Sequence, residues 1–389
     1  MKLSRPKSFT EALGRPQGSW GGTFLCLKDF DRRDSAILKA LAIAAIVFHN
    51  FFHLVIPVHE NEFSFDSARF PAFLEYLSHP STALQALFAF YGHFGVQIFI
   101  FLSAYGLTKT HWDDSESWWS FMWSRVKKLY PMVTLAVLVW LLLAAIVVGP
   151  ATVIRDSGLE TLLMWAGVST IVPGMGLPPI GPWWFIPFIV QFYAIWPLLR
   201  KLTAKFGWSA LVALSVICLL VTLVANPMLA HWDVNLAMTP LGRMRVIALG
   251  IIAARYPIRL KANISIPALA IVILGSEYSP LVPFTSLAAT VFSLWLYGKL
   301  RILLRRSSML EKIGNHSLAI FLLNGIVRVP FISVARTPLL QFSMAFASAL
   351  VTFAVSVFFH HLLDRMRGSE FGLQIQRPER PDLVGVGAD

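Results

Sequence analysis

LKALAIAAIVFHNFFHLV, residues 38–55, decides the fold. The stretch is apolar enough for a membrane-spanning helix, yet it carries Lys39, His49, Asn50 and His53. Ionisable groups in lipid are expensive, so they face a protein partner or a cavity and mark functional paths. The rest of the 389-residue chain agrees with a membrane setting. It is 56% hydrophobic and 14% charged, with a mean hydropathy of +0.64. A soluble chain would carry about a quarter charged residues. Apolar runs of bilayer length recur from end to end, so the expected class is an all-α, polytopic integral membrane protein.

Basic loops between the apolar runs set the expected topology by the positive-inside rule. Lys28, Arg32 and Arg33 place the segment before span 1 in the cytoplasm. The spans are then expected at about 35–56, 87–108, 131–149, 183–199, 208–225, 239–254, 263–278, 282–299, 315–333 and 340–362. That gives about ten transmembrane helices with both termini cytoplasmic. The short apolar segment 158–172 is expected to be interfacial or re-entrant on the outer side, where protein must cover its backbone. Trp118, Trp119 and Trp123 beside a basic end suit an interfacial helix. The expected division is a cytoplasmic tail over 1–34, a membrane domain over 35–363 and a disordered cytoplasmic tail over 364–389.

The net charge of +12 does not indicate nucleic acid, because the basic residues sit in loops and form no stripe interleaved with exposed aromatics. Cys26 and Cys218 provide neither a disulfide framework nor a metal cluster. His49 and His53 are four apart and share a helical face. HNFFH lacks the Glu of a zinc-protease helix and has no third ligand at useful spacing, so no metal is expected. A neutral imidazole at His49 suits it to accept a proton from a hydroxyl. Its orienting partner must come from another helix, with Glu277 the candidate deepest in a span. Lys39 is either a snorkelling anchor or a functional charge. Arg243 and Arg245 run against the charge trend, and Arg328 lies about a dozen residues into a span; Arg243 and Arg328 are therefore candidates for holding a substrate.

Several stretches together resemble the acyltransferase 3 family of membrane acyltransferases. Besides the basic residue and His49 in the first span, these are FGVQIFIFLSAYGLTKT (94–110), SRVKKLYPM (124–132), GPWWFIPFIVQFYAIWPLL (181–199) and IGNHSLAIFLLNGIV (313–327). They follow the family's order and cover most of the chain. Lys39, Ala104 and Asn324 stand where many members carry Arg, Gly and His. The resemblance implies transfer of an acyl group, often acetyl, from cytoplasmic acyl-CoA to a hydroxyl of a cell-surface polysaccharide or lipid-linked sugar. It implies His49 as catalytic base, and Lys39, Arg125 and Lys128 as positive charge toward acyl-CoA, a co-substrate rather than a tightly bound cofactor. Ser103, Trp184 and Tyr193 would shape the cavity, and His53 would stand beside the acceptor.

Two other readings stay open. One is a secondary transporter or exporter of a polar glycan or organic solute, against which the lack of an internal repeat counts. The other is an inactive scaffold of a polysaccharide synthase. All three place the chain in the cell membrane, expected to be the cytoplasmic or inner one. The sequence leaves the oligomeric state open.

Overall fold

The computed structural model describes residues 26–58 and 63–375, with side chains described up to 365. The greater part of the expected tail 1–34 and residues 376–389 lie outside the described residues. The described chain is helical throughout, with one isolated bridge between Cys26 and Arg259. Its helices are α1 (Arg32–Val55), α2 (Arg69–Ser78), α3 (Ala83–Tyr91), α4 (Gly95–His111), α5 (Trp118–Val148), α6 (Pro150–Trp165), α7 (Phe185–Phe206) and α8 (Trp208–Leu229). There follow α9 (Met244–Arg255), α10 (Ala262–Leu274), α11 (Val282–Leu304), α12 (Ser308–Asn315), α13 (Ser317–Val327), α14 (Val329–Ile332) and α15 (Pro338–Ile375).

Among the described residues, seven helical stretches are long and apolar enough to cross a membrane. The protein is therefore a multi-pass membrane protein, and seven of the ten expected spans fall on these stretches. The other three fall on α9, α10 and α13, which have 12, 13 and 11 residues. At 1.5 Å per residue they are about 17–20 Å long, short of the roughly 30 Å hydrocarbon core. Apolar length alone made them look like full spans. The chain around them is irregular, and α9 begins only after two turns of coil and 3-10 helix around Leu236–Met238.

The segment expected to be re-entrant is the second half of α6 and the turn after it. Gly149, at φ 87, and Pro150 at the start of α6 reverse the chain at the end of α5. α6 runs back beside α5 until the Trp165 indole donates to Thr134 Oγ1 (3.0 Å) and Tyr130 Oη donates to the Trp165 carbonyl (2.7 Å). The chain then returns, and the Gly174 amide donates to the Trp232 carbonyl beyond α8. The tryptophans 118, 119 and 123 form no separate interfacial helix. They start α5, which runs unbroken through Pro131 for 31 residues. Two expected domain limits also fall inside structure, since α1 starts at Arg32 and α15 continues to Ile375.

α1 lies at the centre, packed by α3, α4, α12, α13 and α15. Asp31 caps it, and Asp34 completes a capping box by accepting from the Asp31 amide. The Asp34 side chain is wholly buried. It accepts from Arg301 Nε (2.8 Å) and Nη2 (2.7 Å), Arg305 Nη1 (2.9 Å) and Tyr297 Oη (2.6 Å) on α11 and its C-terminal cap. This end of the molecule also holds Arg125, Arg200, Arg255 and Glu311, and we call it the basic end. The opposite end, where α1 finishes, is the histidine end.

Two glycines set how closely other helices approach α1. A Cβ at Gly314 would overlap the Ala36 carbonyl, so α12 lies directly on the α1 backbone. A Cβ at Gly92 would come 2.6 Å from the Ala45 carbonyl oxygen and 2.7 Å from His49 Cβ. Gly92 opens the 3-10 turn Gly92–Phe94 that joins α3 to α4, so the turn can pass beside His49.

These contacts give two stability predictions. Asp34→Asn leaves two adjoining guanidiniums without their buried counter-charge and destabilises the fold by about 3 kcal/mol. A drop in thermal midpoint of the detergent-purified protein, absent in Asp156→Asn at the exposed Arg155–Asp156 pair, checks this. Gly92→Ala forces backbone against backbone and costs about 1–3 kcal/mol, read as a lowered midpoint in the same assay.

Candidate functional site

Three histidines meet at the histidine end. The His49 ring lies 5.3 Å from that of His53, one turn on in α1, and 5.5 Å from that of His93 in the 3-10 turn. His93 is 4% exposed. His49 Nδ1 lies 2.9 Å from the Ala89 carbonyl oxygen and 3.3 Å from that of Phe88. A carbonyl only accepts, so Nδ1 carries the proton and donates. In the neutral ring the lone pair then sits on Nε2, the nitrogen left to act as a base. The expected carboxylate partner is not used: Glu277 is exposed in the turn after α10, and a backbone carbonyl orients His49 instead.

Two cavities border the elements that carry this cluster, one at His93 and the other at Ile46 and Val96, with His49 and His53 behind their walls. A slot of about 190 Å³ runs through the core and is lined by Lys39, Ser103, Tyr193, Ser317, Phe321 and Ile46, among others. Its walls toward the histidine end include Ile46 and Val96, each one helical turn from His49 and His93. A recess of about 330 Å³ lies on the other side, lined by His93, Phe94, Phe63, Asn226, Arg243 and Arg245, among others. His93 thus stands between His49 and the recess.

Lys39, Ser103 and Tyr193 share the slot. Arg125 does not line the slot; it borders a shallow basin at the basic end. Its guanidinium lies over the Phe121 ring, 5.6 Å from the centroid. Lys128 is exposed on α5 and joins neither cavity. Its neighbour Lys127 lies over the Trp123 ring, which suits an anchor in the interface.

Arg243 is 5% exposed. It donates to the Ala237 carbonyl (2.8 Å) and to Ser286 Oγ (2.9 Å), and its guanidinium lies 5.8 Å from the Trp184 ring centroid. Arg243 lines the recess, and Trp184 lies against it without reaching the cavity. Arg328, at the end of α13, donates to the Asn50 carbonyl at 2.9 Å. It braces the turn of α1 that carries His49 and lines neither cavity.

Sequence reading passed over two groups and named a third, Asn324, only as a departure from the family's pattern. His93 has a visible signal in YGHFG (91–95), where flanking glycines announce a close approach. Asn324 is 1% exposed, and neither its Oδ1 nor its Nδ2 has a hydrogen-bond partner. It sits on α13 between Phe321, which lines the slot, and Arg328, which reaches Asn50. The third group is His111, Asp114 and Glu116 at the basic end, whose donor atoms all lie within 4.8 Å of one another. One imidazole and two carboxylates are ligand types for a divalent metal, although no metal was expected from the sequence. They border a shallow basin with Arg125 at the far end of α4 from His93. Arg200 organises that loop by donating to the His111 and Trp112 carbonyls (2.9 and 3.3 Å).

No curated protein and no solved structure is detectably similar to the chain. A family model described as an acyltransferase domain matches residues 34–361, from the buried Asp34 to the second half of α15. That match takes in the histidine cluster, the slot and the recess, and the chain belongs to the acyltransferase 3 family of membrane proteins.

Proposed function

We propose that the protein is a membrane O-acyltransferase that moves an acyl group, acetyl in the simplest case, from acyl-CoA to a hydroxyl of a cell-surface polysaccharide or lipid-linked sugar. One observation carries this reading: His93, whose ring lies 5.5 Å from that of His49, lines the recess, while Ile46, one turn before His49 on α1, lines the slot. A donor and an acceptor arriving from opposite sides need that arrangement.

In this reading the basic end faces the cytoplasm, where acyl-CoA is made, in keeping with the positive-inside rule. Both chain ends then lie on that side. α9, α10 and α13 complete ten crossings by traversing protein rather than lipid along part of their path. Acyl-CoA enters the slot past Arg125 and Lys39. The slot is narrow and mostly apolar, which suits a pantetheine arm, with Ser103, Tyr193 and Ser317 spaced along it. The acceptor occupies the recess.

His49 Nε2 removes the proton from the acceptor hydroxyl as its oxygen attacks the thioester carbonyl. The carbon–sulfur bond breaks, and the CoA thiolate leaves with the proton returned by His49. Asn324 Nδ2–H is the group we assign to the developing oxyanion, because it is buried, unpartnered and one turn beyond the slot. A general base contributes about 10²–10⁴-fold to such a step.

The test follows labelled acetyl from acetyl-CoA into the lipid and polysaccharide fractions of membranes carrying the protein. Wild type labels an acceptor. His49→Ala lowers the rate by about 10²–10⁴-fold at unchanged protein level and detergent elution profile. Retained transfer in His49→Ala removes the base role. Uptake or efflux of a glycan without transfer replaces the reading with a transporter.

A further inference from the structure

Arg245 has no role in the fold or in the transfer step as described. It lies in the first turn of α9, two residues after Arg243, and lines the recess. Its Nε and Nη1 are buried and have no hydrogen-bond partner. Nη2 makes a long 3.4 Å approach to the Gly242 carbonyl. The Arg243 charge lies within electrostatic reach, adding repulsion rather than relief. Asp66, a carboxylate on the recess wall among the described residues, is paired with Arg69 at 3.6 Å. A guanidinium has five N–H donors and cannot shed its charge in a protein. Leaving three of them, one on Nε and two on Nη1, dry beside an open polar cavity at membrane depth is costly unless something that enters the cavity answers them.

We infer that the recess binds its ligand through an anionic group, a carboxylate or a phosphate carried by a sugar, received by Arg245. This deepens the proposed function, on which it rests in taking the ligand to be the acyl acceptor. The walls fit a sugar acid or sugar phosphate better than a bare ion. Thr222, Asn226 and Ser286 supply polar atoms, and Phe63 and Phe94 supply flat apolar faces. The cavity of about 330 Å³ also exceeds what a bare ion needs. Arg245 is then the residue that selects charged over neutral acceptors, and His93 at the inner wall separates the anion subsite from His49.

The experiment uses the full chain in phosphatidylcholine nanodiscs, with no acyl donor, at constant ionic strength. Its thermal midpoint is followed against glucuronate, glucose 1-phosphate, inorganic phosphate and glucose. At least one sugar anion raises the midpoint and glucose does not. The half-saturating concentration rises about 10- to 100-fold in Arg245→Gln, the loss of a charge-assisted contact, and stays near wild type in Arg245→Lys. Thr222→Leu, which fills the recess from α8 without touching the charge, removes the response and serves if Arg245→Gln does not fold.

A response to glucuronate alone assigns a carboxylated sugar. A response to glucose 1-phosphate that exceeds that to inorganic phosphate assigns a phosphorylated one. Abolition of the phosphate response in discs containing phosphatidylglycerol assigns the site to a lipid headgroup and overturns the acceptor role. Equal response to glucose, no response to any anion, or an unchanged response in Arg245→Gln overturns the inference. Because binding is read without acyl-CoA, failure here leaves the transfer assay untouched, and failure of transfer leaves an anion response standing.

Discussion

A helix that holds a base in the middle of a membrane protein has to be fixed along its own axis. A sliding or rotating α1 would move His49 by ångströms relative to anything it must touch. Asp34 fixes one end. Its buried carboxylate takes donors from two arginines and a tyrosine associated with α11, so α1 cannot shift without exposing a charge to an apolar surrounding. Ala89 and Asn50 fix the other end, one by accepting from His49 and the other by accepting from Arg328. Gly314 and Gly92 then allow neighbours to approach the α1 backbone between these anchors. The slot and the recess are the spaces left around a helix held in this way.

Much of this was legible in the sequence because it rests on local chemistry. Long apolar runs with basic flanks locate seven crossing stretches, and a histidine amid such a run singles out His49. Three of the four motif stretches locate Ser103, Arg125, Trp184 and Tyr193. Three of these four residues border the slot or lie against the arginine that lines the recess, and Arg125 borders the basin at the basic end. What escaped depends on tertiary contact. Asp34 is not singled out in the sequence, since the partners that bury it are more than 260 positions away. His93 is not singled out either, because its neighbour His49 lies on another helix. Arg328 reads as a substrate ligand at membrane depth and proves to be a brace, because a buried guanidinium can be satisfied by a backbone carbonyl as well as by a ligand.

The same distinction separates Arg243 from Arg245. They are two residues apart, equally anomalous in sequence, and the sequence reading favoured Arg243. In the structure Arg243 is bonded to the Ala237 carbonyl and Ser286 and helps build the wall. Arg245 has its donors largely unspent. Position in a span marks both as unusual, and only the hydrogen-bond geometry separates the one that supports the cavity wall from the one whose donors remain unpaired.

The choice of a carbonyl to orient His49 follows from the setting. In water-exposed active sites a carboxylate commonly fixes the imidazole tautomer and stabilises the imidazolium. A carboxylate beside α1 at this depth would add a second buried charge whose desolvation must be offset in every state of the enzyme. A helix carbonyl is already in place, has two lone pairs, and imposes the same Nδ1–H tautomer without net charge. The 3-10 turn after Tyr91, made possible by Gly92, brings that carbonyl and His93 to the same ring. In the proposed transfer the cost is a less stabilised imidazolium, so a proton taken from the acceptor would have to be short-lived on His49. That favours transfer in which deprotonation, attack and return of the proton to the departing thiolate follow one another closely, with no stable charged intermediate at the histidine.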